Sequence, residues 1–545
     1  MATVTFYNKD VEKFMDLDVF KSQISELGMS LEDSNDTSTV VDITPNRPEL
    51  LYFNNFMREV RLHLGTVKPR SYDSAIGDFE GDLYISPEFR SLRPYGIAFA
   101  AKNVDLSGNG LEYLINFTEK LTDTYGRKRK KVALGIHNLD KIVFPLFYNL
   151  SDDKEFTPLR YGKAARFSEF VKEGDKEGYS SIFESIEGRY PILKDKSKTL
   201  SLVPVINSDE TSVGTSTRNI LIDINGSDET AVQNTARIIA SSLIDIGASI
   251  HPVKVHMTQN KSSFVSIDLK GRKVALHFKD FNSRIGLDEK SERCLDLISR
   301  SGYLVKSSNS SSATIVIPPY RTDVFGKIDI VEDMAIAYGY NNITPKEISG
   351  VYGYGSLDTL TEFKNDISGL LVGLGYSEAL NFYLTNRQVE FEYMLQDDPG
   401  SVSLLSSKTS TFGIVRTKLL PNLMMNLKTS ADQPMPQKLF EIGNVYRVEK
   451  GKVSEYLNIA IVAEGAKVNF NDVKADLEAF CNYLGLNLEL KESKDPAFIE
   501  GRTADIYIDG IKKGIMGEIN PEVLLNFSLL EPVSALELRI KKLDY

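Results

Sequence analysis

Four acidic residues between positions 323 and 333 have types and spacing that could bind a cation. Asp323 stands before a predicted helix, and Asp329, Glu332 and Asp333 follow at i, i+3 and i+4, so these three would share one helix face. Mg²⁺ prefers oxygen ligands and keeps several waters, which suits such a face. The alternative is an acidic first turn, stabilised by the helix dipole, that faces solvent or a basic partner. The spacing alone leaves both interpretations open.

The same predicted helix, over Ile328–Tyr338, carries an apolar stripe. It consists of Ile328, Val331, Ala335 and Ile336. A stripe of this kind packs against a core, whatever the carboxylates do. We therefore expect the helix to be fixed on a small domain with its acids turned outward.

A run of basic residues from Arg127 to Lys131 is a second candidate for binding. Its plain interpretation is a solvated hairpin or loop tip, and the alternative is a contact with a phosphate group. The formal net charge of the chain is −11. Because neutralising phosphates requires a basic face, this charge argues against a protein whose whole surface wraps a nucleic acid.

Composition and spacing argue against several other kinds of site. Cys294 and Cys481 are the only cysteines, and we expect both to be core residues. There is no cysteine or cysteine–histidine spacing for zinc and no His-Glu-x-x-His run. No run of about 18 apolar residues could span a bilayer, and no secretion signal is visible. We expect no membrane partner and a reducing, cytoplasmic location.

The elements that must position these residues are too many for one domain. A single hydrophobic core rarely serves more than about 250–300 residues, and this chain has 545. We predict an α+β multi-domain chain with these parts: an N-terminal α/β module over 1–75, an α+β domain over 76–261, a small domain with the acidic motif over 262–345, and a domain of antiparallel strands over 350–545. The segment Val351–Ser356 has the composition of a linker.

Particular elements follow from pattern and turn residues. We predict a single helix over Glu49–Leu64. We predict two strands, Phe264–Leu269 and Arg272–Phe278, on either side of a turn at Lys270-Gly271 in the small domain. A further strand is predicted over Ala379–Tyr383 in the last domain.

A longer pattern runs from Pro318 through Ile343. It reads Pro-x-Tyr-Arg-x-Asp, then Asp-x-x-Glu-Asp, then Ala-x-x-Tyr-Gly-Tyr-Asn-Asn-Ile. This stretch resembles a module of the β subunits of phenylalanine–tRNA ligase, and the whole chain is similar to their shorter archaeal and eukaryotic type. Other family-like segments follow in family order: Thr44–Leu50, Gly135–Asp140, Pro204–Ser208, Arg416–Pro421 and Leu439–Tyr446.

The resemblance implies a role for the acidic residues. In that family four acidic positions are assigned to Mg²⁺ shared with the α subunit, and they correspond to Asp323, Asp329, Glu332 and Asp333. The ion would be structural and lie at a subunit boundary. The implied partners are an α chain, in an α2β2 tetramer, and the phenylalanine tRNA, with ATP as a substrate of the complex.

The resemblance also implies that residues 350–545 form a class II synthetase-like domain without catalytic motifs. Arg447 follows Tyr446 in a segment similar to the family's first arginine-bearing motif, which binds phosphate. The last strand, Leu536–Arg539, lacks the preceding Gly-x-Gly-x-Gly of the second motif. We expect this domain to pack against the active α subunit and to catalyse nothing itself.

The resemblance assigns chemistry to the domain over 76–261, which in the family hydrolyses tyrosine wrongly attached to the phenylalanine tRNA. A phenylalanine pocket rejects an added hydroxyl only weakly, so a second sieve is reasonable. The candidate residues are His137, Asn207, Ser208 and Asp223, each beside a family-like strand. The ordinary alternatives are turn residues for Asn and Asp and a capped loop histidine.

Three hypotheses for function remain after these observations. The first is the β subunit of phenylalanine–tRNA ligase, which supports synthesis by the α subunit and hydrolyses mischarged tyrosyl-tRNA. The second is a non-catalytic, ligase-like scaffold that binds a partner chain or RNA. The third is a free-standing editing protein, against which the C-terminal domain counts.

Overall fold

The chain is described by a computed structural model. The described residues are 2–174, 188–257, 262–347, 350, 353–407 and 409–543. The chain divides into two compact units, Met1–Ile348 and Ser349–Tyr545. The described part of the first unit contains three sheets of three or more strands, one two-stranded sheet and their covering helices, and that of the second contains one large and one small sheet. This architecture confirms the α+β multi-domain class.

The N-terminal part of the first unit is a three-stranded antiparallel sheet with helices. Its elements are β1 (Ala2–Tyr7), α1 (Asn8–Val11), α2 (Leu17–Glu26), β2 (Ser30–Ser34), β3 (Ser38–Ile43) and α3 (Phe53–His63). The single helix predicted over Glu49–Leu64 is wrong, because a short 3-10 turn at Pro48–Leu51 ends at Tyr52, which is extended with φ −98° and ψ 130°. The side-chain amide of Asn55 then binds the Glu49 carbonyl, at 2.8 Å.

The central part is a ten-stranded mixed sheet. Its elements are β4 (Gly81–Ile85), α4 (Pro87–Leu92), β5 (Tyr95–Lys102), α5 (Gly110–Asp123), β6 (Val132–Asn138), β7 (Leu146–Ser151), β8 (Glu155–Phe156), β9 (Ala165–Arg166), α6 (Phe167–Glu169), β10 (Tyr190–Lys194), β11 (Thr199–Leu202), β12 (Ile206–Asn207), β13 (Ile220–Gly226), α7 (Glu229–Asp245), β14 (Ser249–Met257) and β15 (Ser262–Val265). The strand order is β12-β11-β10-β7-β4-β14-β5-β13-β6, and β15 pairs with β14, while β8 and β9 pair apart from the sheet. Every residue of β13 is buried, as expected for a strand with α7 packed on one face.

The small domain has a three-stranded sheet in the order β16-β18-β17 and three helices. Its elements are β16 (Arg272–His277), α8 (Phe278–Ile285), α9 (Ser291–Arg300), β17 (Leu304–Ser308), β18 (Ser312–Ile317) and α10 (Lys327–Tyr338). The pairing predicted for Phe264–Leu269 with Arg272–Phe278 is wrong. Strand β15 joins the large central sheet, and β16 pairs with β18, because Ile267 and Leu269 are buried in the central core.

Helix α10 presents a different apolar face from the predicted one. Ile328 is 52% exposed, whereas Ile330, Val331 and Met334 fill the core of the small domain. The reason is that α10 packs against α8 and α9 on that face. The stripe predicted from spacing was therefore wrong in part.

The second unit is a seven-stranded sheet with helices on both faces. Its elements are α11 (Thr359–Gly373), β19 (Ser377–Glu378), β20 (Leu384–Thr385), β21 (Val402–Ser403), β22 (Ile414–Val415), α12 (Leu420–Thr429), β23 (Gln437–Glu449), β24 (Lys452–Glu464), α13 (Phe470–Leu484), β25 (Leu488–Glu492), β26 (Phe498–Ile508), β27 (Ile511–Ile519), α14 (Pro521–Phe527) and β28 (Val533–Leu543). The strand order is β19-β23-β24-β28-β27-β26-β25, and β20, β22 and β21 form a small separate sheet. Helices α11 and α13 cover one face, and α12 and α14 cover the other.

The strand predicted over Ala379–Tyr383 is absent from the second unit. Leu380 and Phe382 are 85% and 79% exposed, so this apolar segment lies at the surface and does not form a buried strand. Of the predicted linker, Val351 and Tyr352 lie outside the described residues, and the described remainder, Gly353–Ser356, has no helix or strand.

Within the described part of the chain, no helix is both long enough and apolar enough to cross a membrane. Cys294 and Cys481 are buried and unpaired, which confirms their assignment to the core.

Candidate functional site

A cleft of about 610 Å³ opens in the central part of the first unit, beside α5, β6, β11 and β12. Apolar and polar groups share its walls about equally, and Leu134, Leu202 and Val205 are among the apolar residues. Three of the four predicted editing residues line the cleft: Asn207, Ser208 and Asp223.

Asp223 lies on β13 and is 2% exposed. Its Oδ1 accepts a hydrogen bond from the Tyr148 hydroxyl at 2.7 Å, and its Oδ2 lies 3.0 Å from Nε2 of His137. Burial, followed by the nearby Asp223 carboxylate, raises the pKa of Tyr148, so its hydroxyl stays a donor. The carboxylate is therefore held in one orientation in the wall of the cleft.

His137 is fully buried behind the cleft and does not line it. Its Nδ1 lies 2.9 Å from Oγ1 of Thr211, and its Nε2 faces Asp223. Because both ring nitrogens are engaged, His137 positions Asp223 and has no nitrogen left for a substrate. The structure thus brings His137 and Asp223 together through the pairing of β6 with β13.

Gly135 creates the space in front of Asp223. A Cβ atom at position 135 would lie 2.3 Å from Oδ2 of Asp223 and 2.9 Å from Oδ1 of Asn207. The side-chain amide of Asn207 donates to the Ile136 carbonyl at 3.1 Å, which fixes its Oδ1 beside the same space. Ser208 has a structural task, because its hydroxyl accepts from the backbone N–H of Glu210 at 3.3 Å.

Sequence reasoning missed several residues of this network. Asn225 lies two positions after Asp223, so the two side chains point to the same side of β13, and that spacing could have identified it. Arg93 donates from Nη2 to the Asn225 carbonyl at 2.9 Å and from Nε to its side-chain oxygen. Burial lowers the pKa of Arg93 to about 10, which leaves it charged at neutral pH. For Arg93 and Tyr148 the sequence contains no local signal.

The basic run forms a tight turn at the edge of the cleft. Arg127, Lys128 and Arg129 all have positive φ, at 51°, 51° and 61°. Arg129 lines the cleft and donates from Nη1 to the carbonyls of Pro204 and Val205, at 3.2 and 2.8 Å. Its neighbours Arg127, Lys128 and Lys130 are exposed.

The acidic motif is organised by an arginine. The guanidinium of Arg321 donates to both carboxylate oxygens of Asp323, each at 2.9 Å, and to Oδ2 of Asp333 at 2.7 Å. Asp333 also accepts from the Tyr303 hydroxyl. The pKa of Asp323 is lowered, since Arg321 outweighs the opposing effect of burial.

The other two acids have different surroundings. Oδ2 of Asp329 accepts from the backbone N–H groups of Phe325 and Gly326, at 2.7 and 2.8 Å, and so closes the start of α10. Glu332 is exposed. The three acids of α10 therefore do not share one solvent face as expected, because Asp333 turns inward to Arg321.

A second buried arginine extends this network to the N-terminal part. Arg47 lies 2.6 Å from Glu49 and 3.0 Å from Glu59, and all three side chains are almost fully buried. Charges of Arg321 and Asp323 contribute to the pKa shift of Arg47, so the two groups are electrostatic neighbours. The family-like segment Thr44–Leu50 and the acidic motif therefore stabilise the same junction in the first unit.

The four predicted magnesium ligands are not gathered into one group in this arrangement of the described residues. Two of the carboxylates, Asp323 and Asp333, share the single positive charge of Arg321. Among the described residues, no group of three or more Asp, Glu, His or Cys side chains has the geometry to hold a metal. Asp329 and Glu332 are the two that Arg321 does not contact.

Models of known families match three stretches of the chain. The B3/4 domain matches residues 109–243, which include the cleft, and the tRNA synthetase B5 domain matches residues 274–340, which include the acidic motif. The phenylalanyl tRNA synthetase beta chain CLM domain matches residues 344–540.

Curated relatives match over nearly the full length. Phenylalanine–tRNA ligase β subunits from Archaeoglobus fulgidus and Methanococcus aeolicus are 32% and 30% identical, each over 99% of this chain and over 98% and 100% of their own. The crystal structure of an N-terminal fragment of the phenylalanyl-tRNA synthetase β subunit from Pyrococcus horikoshii is also similar, with a TM-score of 0.57 and 25% identity over 62% of this chain and 99% of that one. The chain thus belongs to the family of phenylalanine–tRNA ligase β subunits, a component of an aminoacyl-tRNA synthetase.

Proposed function

We propose that this chain hydrolyses tyrosyl-tRNA in its central cleft and supports the attachment of phenylalanine to tRNA by a separate α chain. The observation that carries the hydrolytic part is Asp223, a buried carboxylate fixed in the wall of a cleft that also has apolar residues. The apolar residues suit an aromatic ring, and a fixed acceptor in the same cleft suits the ring's hydroxyl.

Selectivity for tyrosine over phenylalanine follows from the free energy cost of covering the Asp223 carboxylate with a ligand that offers it no hydrogen-bond donor. Tyrosine would donate its hydroxyl to Asp223, while phenylalanine would bring only a ring edge to a buried charge. A site built to bond a hydroxyl rejects the analogue that lacks it far better than an apolar pocket rejects an added hydroxyl. The cleft would therefore clear tyrosine and spare phenylalanine.

The scissile ester would lie toward the basic turn at the cleft edge. Hydrolysis needs a positioned water and donors for the developing oxyanion. Asn207 lies close to Asp223 and can orient a water through its Oδ1. His137 and Tyr148 act indirectly, by holding Asp223.

Synthesis requires other components. An α chain would supply the site that uses ATP and phenylalanine, and the α2β2 assembly, the phenylalanine tRNA and the cytoplasmic location remain predictions. Magnesium shared with the α chain also stays a prediction, and the contacts of Arg321 narrow the available carboxylates to Asp329 and Glu332.

The decisive change is Asp223→Asn, which keeps the shape and removes the charge. We expect deacylation of tyrosyl-tRNA by the purified chain to fall by about 10- to 100-fold, the equivalent of a lost charge-assisted hydrogen bond of roughly 1.5–3 kcal/mol. Asp209→Asn, at an exposed position on the same cleft, is the matched control and should leave the rate unchanged. A wild-type chain that does not deacylate tyrosyl-tRNA, yet binds an α chain, would favour the scaffold hypothesis instead.

A further inference from the structure

A second cavity, of about 340 Å³, lies within the C-terminal unit and gathers cations from separate segments. Its basic lining residues are Lys418, Arg447, Lys512, Lys513 and Arg539. They come from the segment before α12, from β23, from β27 and from β28. Such a concentration is unexpected in a chain with a formal net charge of −11. It costs electrostatic energy unless an anion is bound.

The two arginines are half-buried and have few hydrogen-bond partners. Nε of Arg447 is buried without a hydrogen bond, and its Nη2 reaches the Thr417 carbonyl only at 3.5 Å. Burial, followed by the charge of Arg539, lowers the pKa of Arg447. Arg539 packs over the ring of Tyr456, 4.0 Å from its centroid. Among the described residues, neither arginine forms an ion pair with a carboxylate.

The carboxylates around the cavity are largely occupied. Glu537 lines it, but its oxygens accept from the backbone N–H groups of Leu419 and Leu420, at 3.1 and 3.0 Å, and from the side chain of Asn458 at 2.6 Å. Asp505 pairs with Lys512. The remaining cations are therefore in excess over the available anions.

The cavity also contains an acceptor without a donor. Oδ1 of Asn458 is buried and has no hydrogen bond, while the bond from its amide to Glu537 fixes its orientation. A ligand hydroxyl would donate a hydrogen bond to this oxygen, and the two arginines would donate hydrogen bonds to a phosphate. Met394 and Phe498 supply an apolar wall. Phosphate, hydroxyl and a flat apolar group are together the chemistry of a nucleotide.

We propose that this cavity binds a nucleotide, with its phosphate on Arg447 and Arg539, a sugar hydroxyl on Asn458 and its base against Met394 and Phe498. The site lies in the domain expected to catalyse nothing, and its role would be binding alone. It does not depend on the hydrolytic cleft, which belongs to the other unit.

The test is a titration of the full-length chain, without an α chain, with ATP, AMP and pyrophosphate by calorimetry. We expect saturable binding of a nucleotide, weakened at least 10-fold by Arg447→Gln and by Arg539→Gln. Asn458→Asp should weaken nucleotides but change pyrophosphate less. Arg502→Gln, an exposed arginine of the same sheet paired with Glu518, is the matched control and should have no effect.

Three results would overturn the proposal. The first is the absence of saturable binding by any nucleotide at millimolar concentration. The second is equal nucleotide affinity of the wild type and both arginine variants. The third is binding of pyrophosphate that is as tight as the binding of both nucleotides. Thermal unfolding of each variant identifies a loss of binding caused by misfolding. If either arginine variant unfolds early, Lys513→Gln, at a partly exposed position, should still lower nucleotide affinity.

Discussion

The contacts of Arg321 change the interpretation of the acidic motif. The sequence shows four acids that could surround a cation, and the structure places a guanidinium between two of them. Arg321 itself is part of the family-like pattern, but spacing does not say that its side chain turns back toward Asp323 and Asp333. One guanidinium balances only one of the two carboxylate charges, so a metal ion at this motif stays a prediction.

Gly135 is the residue on which the cleft most directly depends. Gly135→Ala would place a methyl group against Asp223 and Asn207, at distances that real side chains do not adopt. We expect tyrosyl-tRNA hydrolysis to fall at least tenfold and the free energy of unfolding to drop by about 1–3 kcal/mol, as for other overpacked sites. Gly214→Ala, with no atom within 4 Å of the added carbon, should change neither quantity. Equal hydrolysis rates in the two variants would place the reaction elsewhere.

At the scale of elements, the basic turn brings cationic side chains together on a strained backbone. The turn holds three consecutive non-glycine residues in the left-handed region, which costs of the order of 1–2 kcal/mol each. The hydrogen bonds from Arg129 to Pro204 and Val205 fix this turn to the cleft wall. Strain retained beside a cleft is consistent with a role in binding.

The basic turn predicts a contact with the phosphates of the tRNA. Arg127→Gln together with Lys128→Gln should weaken tRNA binding and reduce the slope of log affinity against log salt concentration by about 2, one for each lost phosphate contact. Fluorescence anisotropy with uncharged tRNA measures this without any hydrolysis. Lys254→Gln with Lys270→Gln removes the same charge from exposed positions outside the cleft lining and should have little effect. If the slope of log affinity against log salt concentration is unchanged, the basic run is a solvated turn that makes no phosphate contact.

The helical turn Gln388–Glu392, between β20 and β21, contains a buried acid with a raised pKa. Glu390 is fully buried and accepts from Thr417 and Lys418, and burial outweighs these donors and raises its pKa from 4.5 to about 7. Because the folded state holds this proton more tightly than the unfolded state, the stabilisation is complete below pH 4.5 and is lost as the pH rises toward 7. The loss from this residue should be about 3 kcal/mol.

Glu390→Gln should remove this pH dependence, since the amide carries no titratable proton. Urea unfolding at pH 5 and at pH 8 measures the difference in the free energy of unfolding. The exposed neighbour provides the control, because Glu392→Gln should keep the wild-type difference. A difference in Glu390→Gln as large as in the wild type would show that other groups cause the pH dependence.

At the scale of the whole molecule, the chain combines an acidic surface with local basic sites. The net charge of −11 is compatible with RNA contact only where cations are concentrated, as at the turn beside the cleft. Buried ion pairs stabilise the first unit across parts that are distant in sequence, since Arg58 binds Asp245 and Arg47 lies near the acidic motif. The acidic motif is thus part of the interior as well as of the surface.

Assembly with an α chain provides the test for the remaining acids. Asp329→Asn with Glu332→Gln should weaken the affinity for the α chain in millimolar Mg²⁺ while changing the stability of the isolated chain little, because neither acid binds Arg321. Asp288→Asn with Glu292→Gln, exposed in the same small domain, is the control pair. Affinities measured with Mg²⁺ and with a chelator separate a metal effect from a charge effect. If both double variants have the same Mg²⁺-dependent affinity for the α chain, Asp329 and Glu332 are not magnesium ligands.

The sequence by itself determined the features that depend on local chemistry or on ordered motifs. Helices such as α2, α7 and α10 follow from periodicity and glycine ends, and the ordered motifs predicted the family and three of the residues that line the cleft. Strand pairing was predictable only where neighbours in sequence were neighbours in the sheet, and this is why β15 was assigned to the wrong partner.

The tertiary structure decided what each polar side chain contacts. Asp223 meets His137 and Tyr148 across 86 and 75 positions of sequence, and Arg321 binds two of the four carboxylates that the family resemblance had assigned to a metal. Burial and hydrogen-bond partners are properties of packed elements, and spacing within one element does not contain them. For the same reason, only packing revealed the cationic cavity of the C-terminal unit, whose residues come from four separate segments.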